Sequence, residues 1–145
     1  MKRIKLEMPE KFEFSTKIPV RITDINYGNH LGNDSILSLI HEARVQYLNK
    51  INLKELNDDR TGIIMVDSVV LYKSEILYGD VLTFNISVNE ISESGCDFYY
   101  QILSEKNAGP AALAKTSIVY YDYKKKKITA LPEIYIESIK RLKSG

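Results

Sequence analysis

Residues 34–48 carry apolar side chains around most of a helical circumference. Ile36, Leu37, Leu39, Ile40, Ala43, Tyr47 and Leu48 form a wide apolar surface. Ser35, Ser38, Glu42, Gln46 and Asn49 recur at steps of three and four and leave only a narrow polar stripe. A helix this apolar is expected to be mostly enclosed rather than to lie on a surface. Asn33 or Asp34 can cap its start, because a short polar side chain accepts a hydrogen bond from the first unpaired helix N–H groups. The rest of the chain must then supply the layer that covers it.

That layer reads as antiparallel sheet. In residues 12–22, Phe12, Phe14, Thr16, Ile18, Val20 and Ile22 alternate with Glu13, Ser15, Lys17, Pro19 and Arg21, the period of a strand with one buried face. Pro19 has no N–H for a ladder, which predicts a sheet edge or a bulge there. After a polar stretch at 51–61, four more strands are expected at 62–73, 81–91, 96–103 and 111–123, with hairpin loops at 92–95 and 104–110. Lys124–Lys127 reads as a solvated turn, and Pro132 opens a second helix over 133–143. One strand, an enclosed helix and then four consecutive strands define an α+β domain, with a five-stranded antiparallel sheet wrapped around the helix.

Charge and composition remove several function classes. The 20 Lys and Arg against 19 Asp and Glu leave a formal charge of +1, without the basic excess of a nucleic-acid binder. No apolar run reaches the ~18 residues of a membrane span, and no apolar region follows the basic Met1–Lys5 as a secretory signal would require. The single cysteine, Cys96, excludes a disulfide framework within one chain. Two histidines without paired spacing give no metal motif, and neither a phosphate-binding glycine fingerprint nor a Gly-x-Ser-x-Gly elbow is present. The expectation is one domain over residues 1–145, in a cytoplasmic protein without a metal or organic cofactor.

The loop Asp24-Ile25-Asn26-Tyr27-Gly28-Asn29-His30-Leu31-Gly32-Asn33-Asp34 holds most of the candidate chemistry. With Arg21 and Asp24 before it and Glu42-Ala43-Arg44 on the helix after it, the segment resembles the hotdog-fold thioesterases of the acyl-CoA and 4-hydroxybenzoyl-CoA branch. Val70–Asp80 (VLYKSEILYGD) and Ala114–Pro132 resemble later parts of the same pattern, so the likeness covers about residues 12–135. It implies the hotdog fold and hydrolysis of an acyl-CoA or acyl-carrier-protein thioester. It also implies a homodimer or homotetramer whose sites form at the subunit boundary, with no nucleic acid or membrane as partner. The chain departs from the benzoyl-type enzymes at Asn26, which stands where their catalytic aspartate lies. Asn29 and His30 partly resemble the Asn and His of the plant acyl-carrier-protein thioesterases.

Thioester hydrolysis needs an activated water or a carboxylate nucleophile, and donors for the developing oxyanion. The resemblance assigns the oxyanion donor to the Asn33 amide at the start of the helix. His30 can activate water or orient the carbonyl, or simply bond the backbone. Glu42, on the polar stripe of an apolar helix, is expected to be partly desolvated; it can serve as base or nucleophile, or pair with Arg21 or Arg44. Asp24 can cap the loop or position the site indirectly. Asn26 and Asn29 can donate to a carbonyl or hold a water, or form turns. His41, mid-helix, reads as structural. Lys73, Lys115 and Lys124–Lys127 can meet CoA phosphates or belong to a solvated face. Two other readings share the scaffold: an enoyl-CoA hydratase or dehydratase, and a non-catalytic acyl-CoA or acyl-carrier-protein binding module.

Overall fold

A computed structural model describes residues 1–145. The elements run β1 (Phe14–Pro19), α1 (Ser35–Lys50), β2 (Thr61–Tyr72), β3 (Val81–Asn89), β4 (Gly95–Ser104), β5 (Pro110–Asp122), β6 (Lys127–Ile128) and α2 (Glu133–Ser144). The strands form one antiparallel sheet in the order β1-β3-β4-β5-β2, and the two-residue β6 adds to β5. This is the expected α+β architecture with the short β6 as a sixth strand. β1 lies at one edge, as Pro19 requires, and β2 at the other.

The strand period decides the core. Leu82, Phe84, Ile86 and Val88 of β3, Phe98, Tyr100 and Ile102 of β4, and Ala112, Ala114, Thr116 and Ile118 of β5 are buried beneath α1. Each large side chain taken fully out of water contributes about 1.5–3 kcal/mol. Tyr47 of α1 sits edge-on to both Phe14 and Phe98, with ring centroids 5.5 and 5.4 Å away. The small side chains of Ala112 and Ala114 make less demand on space than the aromatics of β4, where Phe98 and Tyr100 stack with centroids 6.4 Å apart.

Two expectations need correction, and one buried residue had no signal in the sequence. The strand expected over 12–22 is confined to 14–19, because Arg21 turns the chain into a 3-10 turn at Ile22–Asp24, where its backbone and guanidinium both bond Asp24. The helix is not enclosed on all sides. Ile36, Leu39, Ile40, Ala43, Tyr47 and Leu48 are buried, but Leu37 is 44% exposed and Glu42 is exposed, since the sheet covers only one face. Arg44, which sequence pattern alone does not mark as core, is buried; it donates to Glu55 Oε2 at 2.7 Å and to the Tyr100 hydroxyl at 3.4 Å.

β2 does not alternate cleanly. A bulge between Met65 and Asp67 shifts its register on β5, and Met65, Val66, Asp67 and Ser68 are all exposed along the open edge. α2 covers one end of the core with Tyr135, Ser138 and Ile139. The Tyr135 hydroxyl donates to the Lys54 carbonyl at 2.6 Å, tying α2 to the segment that follows α1.

Candidate active site

The loop from 25 to 34 is closed on itself before it delivers α1. Ile25 and Leu31 form a β-bridge at its neck, and the Asn26 N–H donates to the His30 carbonyl at 2.9 Å. Asn26 Oδ1 accepts the Gly28 N–H at 2.9 Å, a side-chain-mimicked turn. Asn29 has φ 67 and donates its N–H to the Asn26 carbonyl at 3.1 Å. A short polar side chain tolerates this left-handed conformation better than most.

The loop is then stapled to two other parts of the chain. Gly32 N–H donates to the Asp24 carbonyl at 3.0 Å, and Leu31 N–H to the Ile76 carbonyl at 2.7 Å. Asp34 caps the helix, accepting the Ser35 N–H at 3.0 Å. A Cβ on Gly32 would lie 2.5 Å from Asp34 Oδ1, so the cap needs glycine there. The N–H groups of Asn33 and Asp34 donate to no backbone carbonyl. They are free donors at the positive end of the helix. The Tyr72 hydroxyl, from the end of β2, donates to the Asn33 carbonyl at 3.1 Å. Partial burial, reinforced by the Asp34 charge, raises the Tyr72 pKa and keeps that hydroxyl protonated.

A cleft of about 530 Å³ opens at this helix end. Leu31, Ile36, Ile76, Ala111 and Ala112 are its buried, apolar part. Asn26, Tyr27, His30 and Asn33 line it from the loop, Tyr72 from the end of β2, and Lys73, Ser74 and Glu75 from the turn that follows. His30 Nδ1 lies 3.3 Å from the Leu31 carbonyl oxygen. A carbonyl can only accept, so this contact puts the proton on Nδ1 and leaves Nε2 of the neutral ring as an acceptor.

The structure thus brings together His30, Asn33 and Asn26 among the residues singled out in the sequence. Asp24, Asn29 and Glu42 do not line the cleft. Asp24 is 4% exposed and its carboxylate is taken up by Arg21: Oδ2 accepts the backbone N–H at 2.8 Å, and Oδ1 accepts a guanidinium nitrogen at 3.2 Å. That hydrogen bond, reinforced by the Asp24 charge, raises the Arg21 pKa. Glu42 lines a different groove, of about 380 Å³, with Lys17, Arg21 and Gln46. It lies nine residues beyond Asn33, roughly 13 Å along the helix axis at 1.5 Å per residue. It pairs with neither Arg21 nor Arg44 but accepts from Gln46 at 3.3 Å.

His41 Nε2 meets Glu55 at 2.6 Å. Of the lysines considered, Lys73 lines the cleft, whereas Lys115 is tied to Asp67 at 2.8 Å between β5 and β2. No three His, Cys, Asp or Glu side chains converge as a metal site would require. The turn 73–76 went unmarked as a site in the sequence, apart from Lys73. Its signal is the segment VLYKSEILYGD, but only the contacts from Leu31 and Tyr72 show which part of the molecule it faces.

The family model described as the thioesterase-like superfamily matches residues 20–139. The match spans most of the chain, which therefore belongs to that superfamily. Solved structures share the fold at low identity. A 1,4-dihydroxy-2-naphthoyl-CoA thioesterase from Synechocystis is 21% identical with a TM-score of 0.82, over 90% of this chain and 97% of that one. A DHNA-CoA thioesterase from Staphylococcus aureus is 18% identical with a TM-score of 0.82, over 90% of both chains. The gentisyl-coenzyme A thioesterase BH1999 is 14% identical with a TM-score of 0.78, over 87% of this chain and 99% of that one. The fold is the hotdog fold. No curated protein sequence matches the chain significantly. No helix is long and apolar enough to cross a membrane.

Proposed function

We propose that this chain hydrolyses an acyl thioester of coenzyme A, or of an acyl-carrier protein, to the free acid and thiol. The observation that carries the reading is the unengaged Asn33 N–H at a helix amino end, opening on the same cleft as His30. The thioester carbonyl oxygen accepts from this N–H, whose hydrogen bond strengthens as negative charge develops. One such donor is worth about 3 kcal/mol of transition-state stabilisation. His30 Nε2 accepts a hydrogen bond from the attacking water and orients it. Tyr72 holds the Asn33 peptide through its carbonyl. The apolar part of the cleft receives the acyl group. Within the chain Glu42 lines a separate groove, and we assign it no part in this step. The reaction needs no metal and no organic cofactor, and we place it in the cytoplasm.

The assembly we propose is a homodimer, or a pair of dimers, joined through β2. The open β2 edge offers unpaired N–H and C=O groups together with exposed Met65 and Val66. Such an interface sets the cleft beside the subunit boundary, because Tyr72 ends the same strand.

Thiol release from acetyl-CoA, palmitoyl-CoA and benzoyl-CoA tests the function, with release from at least one of them expected. Acyl-CoA binding without thiol release above background overturns hydrolysis in favour of a binding module, the reading that Asn26 in place of a carboxylate favours. Loss of enoyl absorbance from crotonyl-CoA without thiol release overturns it in favour of a hydratase.

A further inference from the structure

His30 orients the attacking water but no group is yet assigned to take its proton, and within the chain neither carboxylate expected from the sequence lines the cleft. Asp24 is consumed by Arg21, and Glu42 faces another groove. The cleft nevertheless has a carboxylate: among its 14 lining residues Glu75 is the one acid. From the geometry we infer that Glu75 is the general base, taking over from a different strand connection the task that Asn26 cannot perform.

Two staples hold Glu75 across from the helix end. At one side of the turn, the Tyr72 hydroxyl bonds the Asn33 carbonyl; at the other, the Ile76 carbonyl accepts the Leu31 N–H at 2.7 Å. The residues between them are therefore fixed against the segment that carries His30 and Asn33. The turn is also anchored from below, since Lys73 and Ser74 both donate their N–H groups to the Ala111 carbonyl, at 2.9 and 3.1 Å. Glu75 itself is backbone-anchored by Asn107, which donates to its carbonyl at 3.4 Å. Its carboxylate has no hydrogen-bond or ion-pair partner within the chain, in contrast to Asp24, Glu13 and Glu55, whose two oxygens are both engaged. It is an acceptor left over after the fold has satisfied itself, on a doubly held turn that lines a cleft with a free N–H donor.

The step balances with water as the only co-reactant. The attacking water is held by two acceptors, Glu75 and His30 Nε2. Its oxygen lone pair forms the new C–O bond at the thioester carbon as Glu75 takes its proton. The carbonyl π pair moves to oxygen, where the Asn33 N–H stabilises it. When the tetrahedral intermediate collapses, that pair re-forms the C=O bond and the C–S bond breaks. The departing sulfur keeps its bonding pair and receives the proton from Glu75. Acid and thiol leave, and Glu75 is again a carboxylate.

This assignment rests on the thioester-hydrolase reading, and the test separates the two. Glu75→Gln, Glu75→Asp and Glu42→Gln are assayed against wild type by thiol release from the acyl-CoA that wild type accepts best among acetyl-, palmitoyl- and benzoyl-CoA. Binding of the same ester is measured by calorimetry. Glu75→Gln, nearly isosteric at an exposed position, is expected to lower kcat by at least ~10²-fold, the scale of general-base work, with binding within about threefold of wild type. Glu75→Asp, which keeps a carboxylate, recovers part of the loss. An active wild type with Glu75→Gln at parity overturns the base assignment alone, as does a 10²-fold loss in Glu42→Gln with Glu75→Gln unaffected. A wild type that releases no thiol from any of the three esters overturns the hydrolase reading, and the base with it.

Discussion

Arg44→Met is the perturbation that most directly probes how α1 is held over the sheet. Arg44 is 5% exposed, donates to Glu55 at 2.7 Å and reaches the Tyr100 hydroxyl, which in turn is 2.9 Å from Thr116. These bonds join α1 to β4 and to the segment before β2, and so set the rotation that aims the helix's amino end. Methionine keeps the length and the apolar stem but leaves Glu55 without its buried partner. Removing one member of a buried pair costs about 3–5 kcal/mol. Glu55 is 24% exposed, so water recovers part of its solvation and the cost falls to or below the bottom of that range, about 2–3 kcal/mol. For a chain of this size each kcal/mol moves Tm by about 2–4 °C, so a drop of roughly 5–10 °C is expected. Arg44→Met/Glu55→Gln removes both charges and is expected to be more stable than Arg44→Met alone, because no unpaired charge remains. Lys17→Met, which breaks the exposed pair with Glu105, provides the contrast and is expected to cost no more than about 1 kcal/mol. Urea unfolding and calorimetry read all three. If Arg44→Met lies within 1 kcal/mol of wild type, or the double variant is no better than the single, the buried pair does not hold the helix as argued.

Other expectations follow from the same structure. His30→Ala is expected to lower kcat by about 10²-fold while leaving acyl-CoA affinity within a few-fold; equal turnover in the thiol-release assay would reduce His30 to its bond with the Leu31 carbonyl. Val66→Asp places a charge on the open β2 edge and is expected to convert the proposed dimer to monomer in sedimentation velocity; an unchanged mass would mean that β2 is not the interface. Burial, with the Asp97 charge adding to it, pushes the Cys96 thiol up to about 12. Ellman's reagent at pH 8 is therefore expected to label it only after unfolding, and prompt labelling of the native protein would contradict that burial. The unfolded chain releases the same proton near pH 9, so it binds fewer protons than the native chain between about 9 and 12. Unfolding free energy consequently falls as pH rises through that window. Cys96→Ala is expected to flatten the fall in urea midpoints, and an unaltered slope would assign it to other groups.

Local pattern made much of the fold legible. The alternation in 81–91, 96–103 and 111–123 is a direct record of strands with one wet and one dry face, and these strands end within two residues of the expected positions. Pro19 announced an edge because a missing N–H is a local fact. The Asx turn at Asn26 and the cap at Asp34 are likewise made by side chains bonding their own neighbours. Where Glu42 lies relative to the cleft was not legible for a related reason. Its position on the polar stripe is a property of the helix, but whether that stripe faces a cleft or solvent depends on which side the sheet covers.

Short-range chemistry therefore determined, from sequence alone, which segments are strands, where the helix begins and that one face of it must be dry. Tertiary structure decided the rest. It chose which polar side chains would be spent, Asp24 on Arg21 and Glu55 on Arg44, and which would be left facing the cleft, His30 and Glu75. The reason is that the meeting of Leu31 with Ile76 and of Tyr72 with Asn33 joins residues roughly forty positions apart. Contacts at that range are set by how the sheet folds around the helix, and no periodicity in the intervening chain encodes them.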